Sequence, residues 1–226
     1  LLDGINDTAT YTDIAAIDGA TNYTICVWAK RTAATALLEG LVGKCSTSTW
    51  LNSGTLGSGV SGAPNSAADK MTLWFDSSAN WTNANMPAAT IVNGEWHHYA
   101  FTYDGSGVTD ADKVKGYWDG AAQTLSFGTL AIPATLPNSG TDPFRIGAYN
   151  VSGLNYGQFD IGAVKAWNAT LTAAECYNEM TSKYPCRTTN LLIWIPGDDG
   201  NALKDYFGGN AVTITEAVQA AASPPF

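Results

Sequence analysis

Gly94-Glu-Trp-His-His-Tyr-Ala-Phe-Thr-Tyr-Asp-Gly105 is the stretch that decides the fold class. Tyr99, Phe101 and Tyr103 share one face, and His98, Ala100 and Thr102 share the other. A period of two marks a β-strand with one face turned to a core. Asp104-Gly105 then gives a hairpin-turn signal, because glycine reaches the positive φ angles that tight turns require.

The same alternation recurs outward from this strand. It covers residues 24–30, 71–76, 114–118, 124–127, 144–149, 161–167, 191–195 and 211–215. In the second of these, Met71, Leu73 and Phe75 share a face opposite Trp74. Short β-branched and aromatic runs broken by Gly and Asp-Gly, as at Asp119-Gly120, predict an all-β sandwich. One segment reads as a helix. Thr172-Ala-Ala-Glu175 is a capping box leading into Cys176–Met180, so a short helix is expected near 172–180. No linker or compositional break divides residues 1–226, so a single domain is expected. The Ser-, Gly- and Thr-rich stretch 46–69 is expected to be a functional or mobile loop, or to conceal a short hairpin.

The chain has 226 residues, enough to bury roughly 70% of its surface on folding without metal or disulfide staples. Only 14% of residues are charged, and the net charge is −9. The 11 basic residues are scattered, which excludes the clustered Lys and Arg that nucleic acid or an anionic membrane demands. No apolar run approaches the roughly 20 residues of a membrane helix. The start, Leu1-Leu2-Asp3, has neither Met nor a signal peptide and reads as a processed product or a piece of a longer chain. Cys26, Cys45, Cys176 and Cys186 form no Cys-x-x-Cys, which removes zinc and thioredoxin-like readings. Two readings stay open: disulfides, with Cys26–Cys45 and Cys176–Cys186 as the local pairings, or four buried thiols.

Several segments together resemble one family. They are Asp3-Gly-Ile-Asn-Asp-Thr8, residues 23–30, the 94–105 stretch, Val114-Lys-Gly-Tyr-Trp-Asp-Gly120, Phe144-Arg-Ile-Gly147 and residues 161–175. Over about residues 1–180 the chain resembles the laminin-G-like domains of the concanavalin A-like lectin/glucanase superfamily. The resemblance implies two antiparallel sheets packed as a jelly roll. Residues 190–215 resemble the family's usual opening strands, displaced to the end, so they are expected to fill that same place in the sheet rather than to open a second copy. Fold alone assigns no function. The family includes carbohydrate-binding modules, adhesion domains and virion proteins, as well as glycanases.

The glycanase relatives carry Glu-x-Asp-x-x-Glu, which sets three carboxylates on one strand face. None of the five Glu here has Asp two residues on. His97 and His98 are adjacent on a strand and therefore face opposite ways. No Gly-x-Ser-x-Gly elbow occurs. A non-enzyme is therefore expected. The resemblance also implies a structural Ca2+ at the sandwich rim, with Asp3, Asp7 and Asp160 as candidate ligands. Gly162 stands where the family often has Asp. Solvated turn carboxylates are the alternative for all three.

Aromatic residues are the remaining lead. Trp28, Trp96, Trp167 and Trp194 fall in strand motifs and are expected in the core. Trp50 and Trp81 lie in polar, loop-like surroundings; Trp74 and Trp118 fit either face; Tyr149 and Tyr156 flank the polar stretch 150–157. Exposed rings stack on sugar faces, so Trp50, Trp74, Trp81, Trp118, Tyr149 and Tyr156 are the carbohydrate-binding candidates. Five Asn-x-Ser/Thr sequons, at Asn6, Asn22, Asn80, Asn150 and Asn168, suit a secreted surface and also arise by chance in such a composition. The expectation is a non-catalytic carbohydrate-binding or adhesion domain on an extracellular or virion surface. The alternative is a decoration module that packs against a scaffold protein, as an oligomer or in a larger assembly.

Overall fold

The computed structural model describes residues 7–32, 39–45, 51–58, 70–77, 80–87, 90–148, 156–197, 203–215 and 224–225, with backbone alone at 51–58, 76–77 and 80. Asp3, Trp50 and Tyr149 lie outside the described residues. The strands are β1 (Thr8–Tyr11), β2 (Asn22–Arg31), β3 (Glu39–Cys45), β4 (Leu51–Ser58), β5 (Met71–Ser77), β6 (Asn80–Asn85) and β7 (Trp96–Asp104). They continue as β8 (Val114–Trp118), β9 (Ala121–Gln123), β10 (Ser126–Phe127), β11 (Phe144–Ile146), β12 (Phe159–Trp167), β13 (Leu191–Ile195) and β14 (Val212–Thr215). Two helices join them, the one-turn α1 (Asp110–Lys113) and α2 (Ala173–Met180).

Among the described residues the strands form two antiparallel sheets. An eight-stranded sheet runs β10-β6-β5-β4-β3-β11-β1-β14, and a six-stranded sheet runs β13-β12-β2-β7-β8-β9. The 94–105 stretch is the spine of the smaller sheet, with β7 paired to β2 from Asn22↔Asp104 to Lys30↔Trp96. The inward residues expected of it, Tyr99, Phe101 and Tyr103, meet Ile25 and Val27 of β2 and Met71, Leu73 and Phe75 of β5 in the inter-sheet core. Burying each such side chain is worth roughly 1.5–3 kcal/mol. The tyrosines keep their polar ends satisfied: Tyr99 donates its hydroxyl to the Thr90 carbonyl at 2.9 Å and Tyr103 to that of Pro133 at 2.8 Å. Residues 190–215 supply one outer strand to each sheet, β13 beside β12 and β14 beside β1.

Some elements depart from the sequence expectation. β3 was not anticipated because every residue in it is buried, so it shows no alternation. β4 lies inside the Ser-, Gly- and Thr-rich stretch 46–69, where a concealed hairpin was one of the alternatives, and its backbone is paired between β3 and β5. Trp81, expected in a loop, sits in β6, where three of the six residues are Asn, a type that strands usually avoid. One turn of helix, α1, interrupts the expected 104–115 hairpin loop, capped by Thr109 and Asp112. The capping box of α2 forms as expected, with Thr172 and Glu175 exchanging bonds.

A second, smaller core lies on the outer face of the six-stranded sheet. There α2 and its flanks cover Cys26, Ala100, Tyr117 and Trp167. Lys165 and Glu179 form a buried ion pair at 2.8 Å, and the Lys165 ammonium also donates to the Ser182 carbonyl at 2.6 Å.

Candidate functional site

The clearest concavity among the described residues is a cavity of about 320 Å3 at one end of the eight-stranded sheet. Trp81 and Thr82 of β6 and Phe75 of β5 form one side. The segment 130–138 forms the other, through Leu130, Pro133, Thr135, Pro137 and Asn138, with Gly19 beside it. Trp81 and Leu130 are each 45% exposed at the mouth. A half-exposed indole beside an amide and hydroxyls gives a small site with one stacking surface and a few polar groups.

The wall opposite Trp81 has no regular structure, yet it is pinned along its length. Thr82 Oγ1 donates to the Leu130 carbonyl at 2.5 Å. The Ile132 amide donates to Asp110 Oδ1 at 2.9 Å, and Lys113 Nζ donates to the Ile132 carbonyl at 2.5 Å. The Leu136 amide donates to the Ala20 carbonyl at 2.8 Å. Ile132 and Leu136 are buried in the main core and act as two apolar anchors. Gly105 completes the fit, because a Cβ there would lie 1.9 Å from the Ala134 carbonyl oxygen.

The base of the wall is held by charge. Asp18 Oδ1 accepts the Ser139 amide at 3.0 Å, while its other oxygen accepts from the Lys44 ammonium. Lys44, a buried residue of β3, also meets Asp13 at 2.6 Å and the Gly140 carbonyl at 2.9 Å. Gly19 and Asn138 of the cavity lining are the chain neighbours of Asp18 and Ser139, so this cluster fixes their positions.

The four described sequence candidates, Trp74, Trp81, Trp118 and Tyr156, do not converge. Trp81 alone among the described ones lines the cavity. Trp74 is 1% exposed, on the face of β5 that also carries Thr72. Beside it, Thr72 donates to Asn85 Oδ1 and Asn85 donates to Asn83 Oδ1, each at 2.9 Å. Trp118 is half-buried, its ring 5.2 Å from that of His97. Tyr156 is half-buried, with bridges to Gly40 and Ala148. Trp194, expected in the core, instead faces out between Tyr184 and Tyr206, at ring distances of 5.5 and 5.7 Å. β13 keeps a strict two-residue period, with Leu191, Ile193 and Ile195 buried and Trp194 on the opposite face. Leu130, Thr135 and Asn138 were missed by sequence reasoning; the signal available was the pair Pro133 and Pro137 flanking apolar Ile132 and Leu136.

Two of the three acidic candidates are described. Asp160 Oδ2 is paired with Lys30 Nζ at 2.6 Å, while its Oδ1 is buried without a hydrogen-bond partner. Asp7 is buried. Among the described residues no group of three or more His, Cys, Asp and Glu gathers to hold a metal ion. The histidines face opposite ways, as expected. His97 Nδ1 meets Asp119 Oδ2 at 2.7 Å, and its Nε2 faces Glu95 Oε2 at 3.7 Å. Asp119 also accepts the His98 amide at 2.8 Å from a turn with φ of +48° followed by Gly120 at +76°. His98 lies on the other face, its ring 5.6 Å from that of Trp28. Burial first, and the nearby Lys165 ammonium second, push its pKa down to about 3.

Neither local cysteine pairing is made. Cys26 is in the six-stranded sheet and Cys45 in the eight-stranded one, where Cys45 Sγ lies 3.6 Å from the Ala148 carbonyl. Cys176 is buried under α2, whereas Cys186 is exposed with its sulfur on the Asn178 carbonyl. All four are thiols in this structure.

Comparison with known proteins agrees with this architecture. The model of the concanavalin A-like lectin/glucanases superfamily matches residues 3–176. The chain belongs to that superfamily. This concanavalin A-like chain matches no curated protein with which it was compared. Its solved structural relatives include a candidate carbohydrate binding protein from Bacteroides ovatus, at 17% identity and a TM-score of 0.62, covering 93% of this chain and 58% of that one. The concanavalin A-like chain thus spans little more than half of that relative. Another is the CBM40 of the Ruminococcus gnavus IT-sialidase bound to α2,3 sialyllactose, at 14% identity and a TM-score of 0.55, covering 78% of this chain and 94% of that one. A third is the NanB sialidase of Streptococcus pneumoniae, at 13% and 0.52, covering 71% and 24%. At these identities the likeness is one of fold.

Proposed function

We propose that the chain is a non-catalytic glycan-binding domain acting outside the cell or on a virion surface, with Trp81 as its stacking platform. One observation carries the reading: a half-exposed indole stands at the mouth of a 320 Å3 cavity whose opposite wall is fixed before any ligand arrives. That volume is at the lower end of small-ligand sites, suited to one sugar unit with the rest of the glycan outside. Thr135 and Asn138 supply hydroxyl and amide groups for sugar hydroxyls, and a preformed wall lowers the ordering cost of binding. The Ruminococcus gnavus CBM40, bound to α2,3 sialyllactose, uses the same fold. A sequence without the Glu-x-Asp-x-x-Glu stretch supports the non-catalytic part of the reading.

A glycan array with the purified chain tests this, run in calcium and in EDTA, with Trp81→Ala alongside. Specific binding that survives EDTA and is lost in the variant is expected. Binding untouched by the variant moves the site elsewhere, and reducing-sugar release from a bound polysaccharide removes the non-catalytic reading.

A second reading, a module that packs against a protein, has one observation in its favour. Tyr184, Trp194 and Tyr206 form a row on the outside of the six-stranded sheet, with Tyr184 64% exposed. An array without any bound glycan, together with self-association that Trp194→Ala abolishes, favours this reading.

A further inference from the structure

The 169–180 segment lies on β2 along a ladder of alternate side chains. Thr24 Oγ1 donates to the Ala169 carbonyl at 2.7 Å and accepts the Leu171 amide at 3.0 Å. Four residues along the same face, Trp28 Nε1 donates to the Met180 carbonyl at 3.0 Å. Between these rungs, at the remaining outward position, stands Cys26. The residue of α2 that joins it in the same buried cluster is Cys176, near enough for each thiol to bear on the other's ionisation. Both are fully enclosed in the small outer core with Ala100, Tyr117 and Trp167. The helix is held on its far side by the Lys165–Glu179 ion pair and at its start by the Thr172–Glu175 capping box.

The structure assigns Cys26 and Cys176 as a disulfide site, a cross-link between β2 and α2 that closes when the chain folds in the presence of a disulfide oxidant. Rungs on both sides hold the segment that carries Cys176 against the face of β2 that carries Cys26. Neither of the other cysteines competes: Cys45 sits against Ala148 and the Arg145 guanidinium, and Cys186 against Asn178 and Tyr184. Burial raises the Cys26 thiol well above its usual range, so the reaction belongs to the folding chain, before α2 closes over it. The Cys176 thiolate attacks a small disulfide such as oxidised glutathione, forming a mixed disulfide and releasing one thiol. The Cys26 thiolate then displaces the second thiol. Two protein thiols lose two protons and two electrons, and the oxidant becomes two thiols. Once α2 has closed, reductants no longer reach the bond.

Refolding in a mixture of reduced and oxidised glutathione, alkylation in denaturant and digestion without reductant tests the assignment. The expected product is one linked peptide pair containing Cys26 and Cys176, about 2 Da lighter than the two thiol peptides, with Cys45 and Cys186 alkylated. Alkylation of all four cysteines overturns it, as does a Cys26–Cys45 or Cys176–Cys186 link. The bond closes a loop of about 150 residues, so reduction in denaturant before refolding should lower Tm by about 10 °C. The C26A/C176A variant should show no such reductant-dependent shift, and an equal shift in both proteins overturns the assignment.

Discussion

Thr82 and Leu130 are joined across the cavity floor by a single short bond, the Thr82 hydroxyl donating to the Leu130 carbonyl at 2.5 Å. Thr82 is buried on a strand, whereas Leu130 is at the exposed lip of an irregular segment. The bond therefore transfers the rigidity of a paired strand to a wall that has no ladder of its own. Replacing Thr82 by Val keeps the shape and removes the donor. The cost should be about 1 kcal/mol in urea denaturation. Affinity for a ligand found on the array should fall several-fold, because the lip is released; unchanged affinity would show that the lip takes no part in binding.

Trp81→Ala removes the one indole at the mouth among the described residues. Exposed substitutions of this kind usually change stability by no more than about 0.5 kcal/mol, while loss of a stacking anchor costs about 1–2 kcal/mol of binding, or roughly tenfold or more. Calorimetric titration beside a thermal melt separates the two. A large drop in Tm with unchanged affinity would reverse the roles assigned to this residue.

His98 makes stability depend on pH. Its native pKa, pushed down to about 3, lies below the unfolded value near 6.5. The unfolded chain thus binds more protons between those limits, and stability falls as pH drops through that window. The slope attributable to one such group is about 1.4 kcal/mol per pH unit. Asp112 and Glu175, whose carboxyls are lowered chiefly by bonds from Thr109 and Thr172, add losses at more acidic pH. Urea midpoints at pH 7, 6 and 5 should decline in the wild type and decline less in His98→Gln; parallel curves would remove His98 as the cause.

Lys44→Met leaves the carboxylates of Asp13 and Asp18 facing each other without their shared cation. Removing one partner of a buried ionic cluster costs about 3–5 kcal/mol, and the partial exposure of Asp13 places this one near the lower end. Adding Asp18→Asn to the variant should recover part of the loss. A double-mutant cycle without coupling would show that the contact contributes nothing to folding.

The alternating strands were legible because each has one face in the core and one elsewhere, as Tyr99, Phe101 and Tyr103 show against His98 and Thr102. β3 was not, since Lys44 and Glu39 are as buried as Leu41 and the two-residue period disappears when both faces are covered. β6 was hidden by its composition: Asn83 and Asn85 satisfy each other and Thr72 across the sheet, which no local pattern announces. At the candidate site Trp81 was legible as an indole in polar surroundings. Its partners were not, because Leu130 and Asn138 reach it through bonds to residues 48 and 121 positions away in the chain, from Thr82 to Leu130 and from Asp18 to Ser139. Cys26 and Cys176 stand 150 positions apart in the chain and still share one small core, a proximity that no local spacing announces.

The Lys44 ammonium, ringed by Asp13, Asp18 and the Gly140 carbonyl, sits in the kind of oxygen cage that sandwich proteins elsewhere fill from solution. Here the positive charge is tethered to the backbone by four methylenes. A chelator cannot strip it, dilution cannot empty it, and the chain carries it into every environment in fixed proportion. The base of the wall opposite Trp81 is therefore held by a charge that is written into the sequence at Lys44.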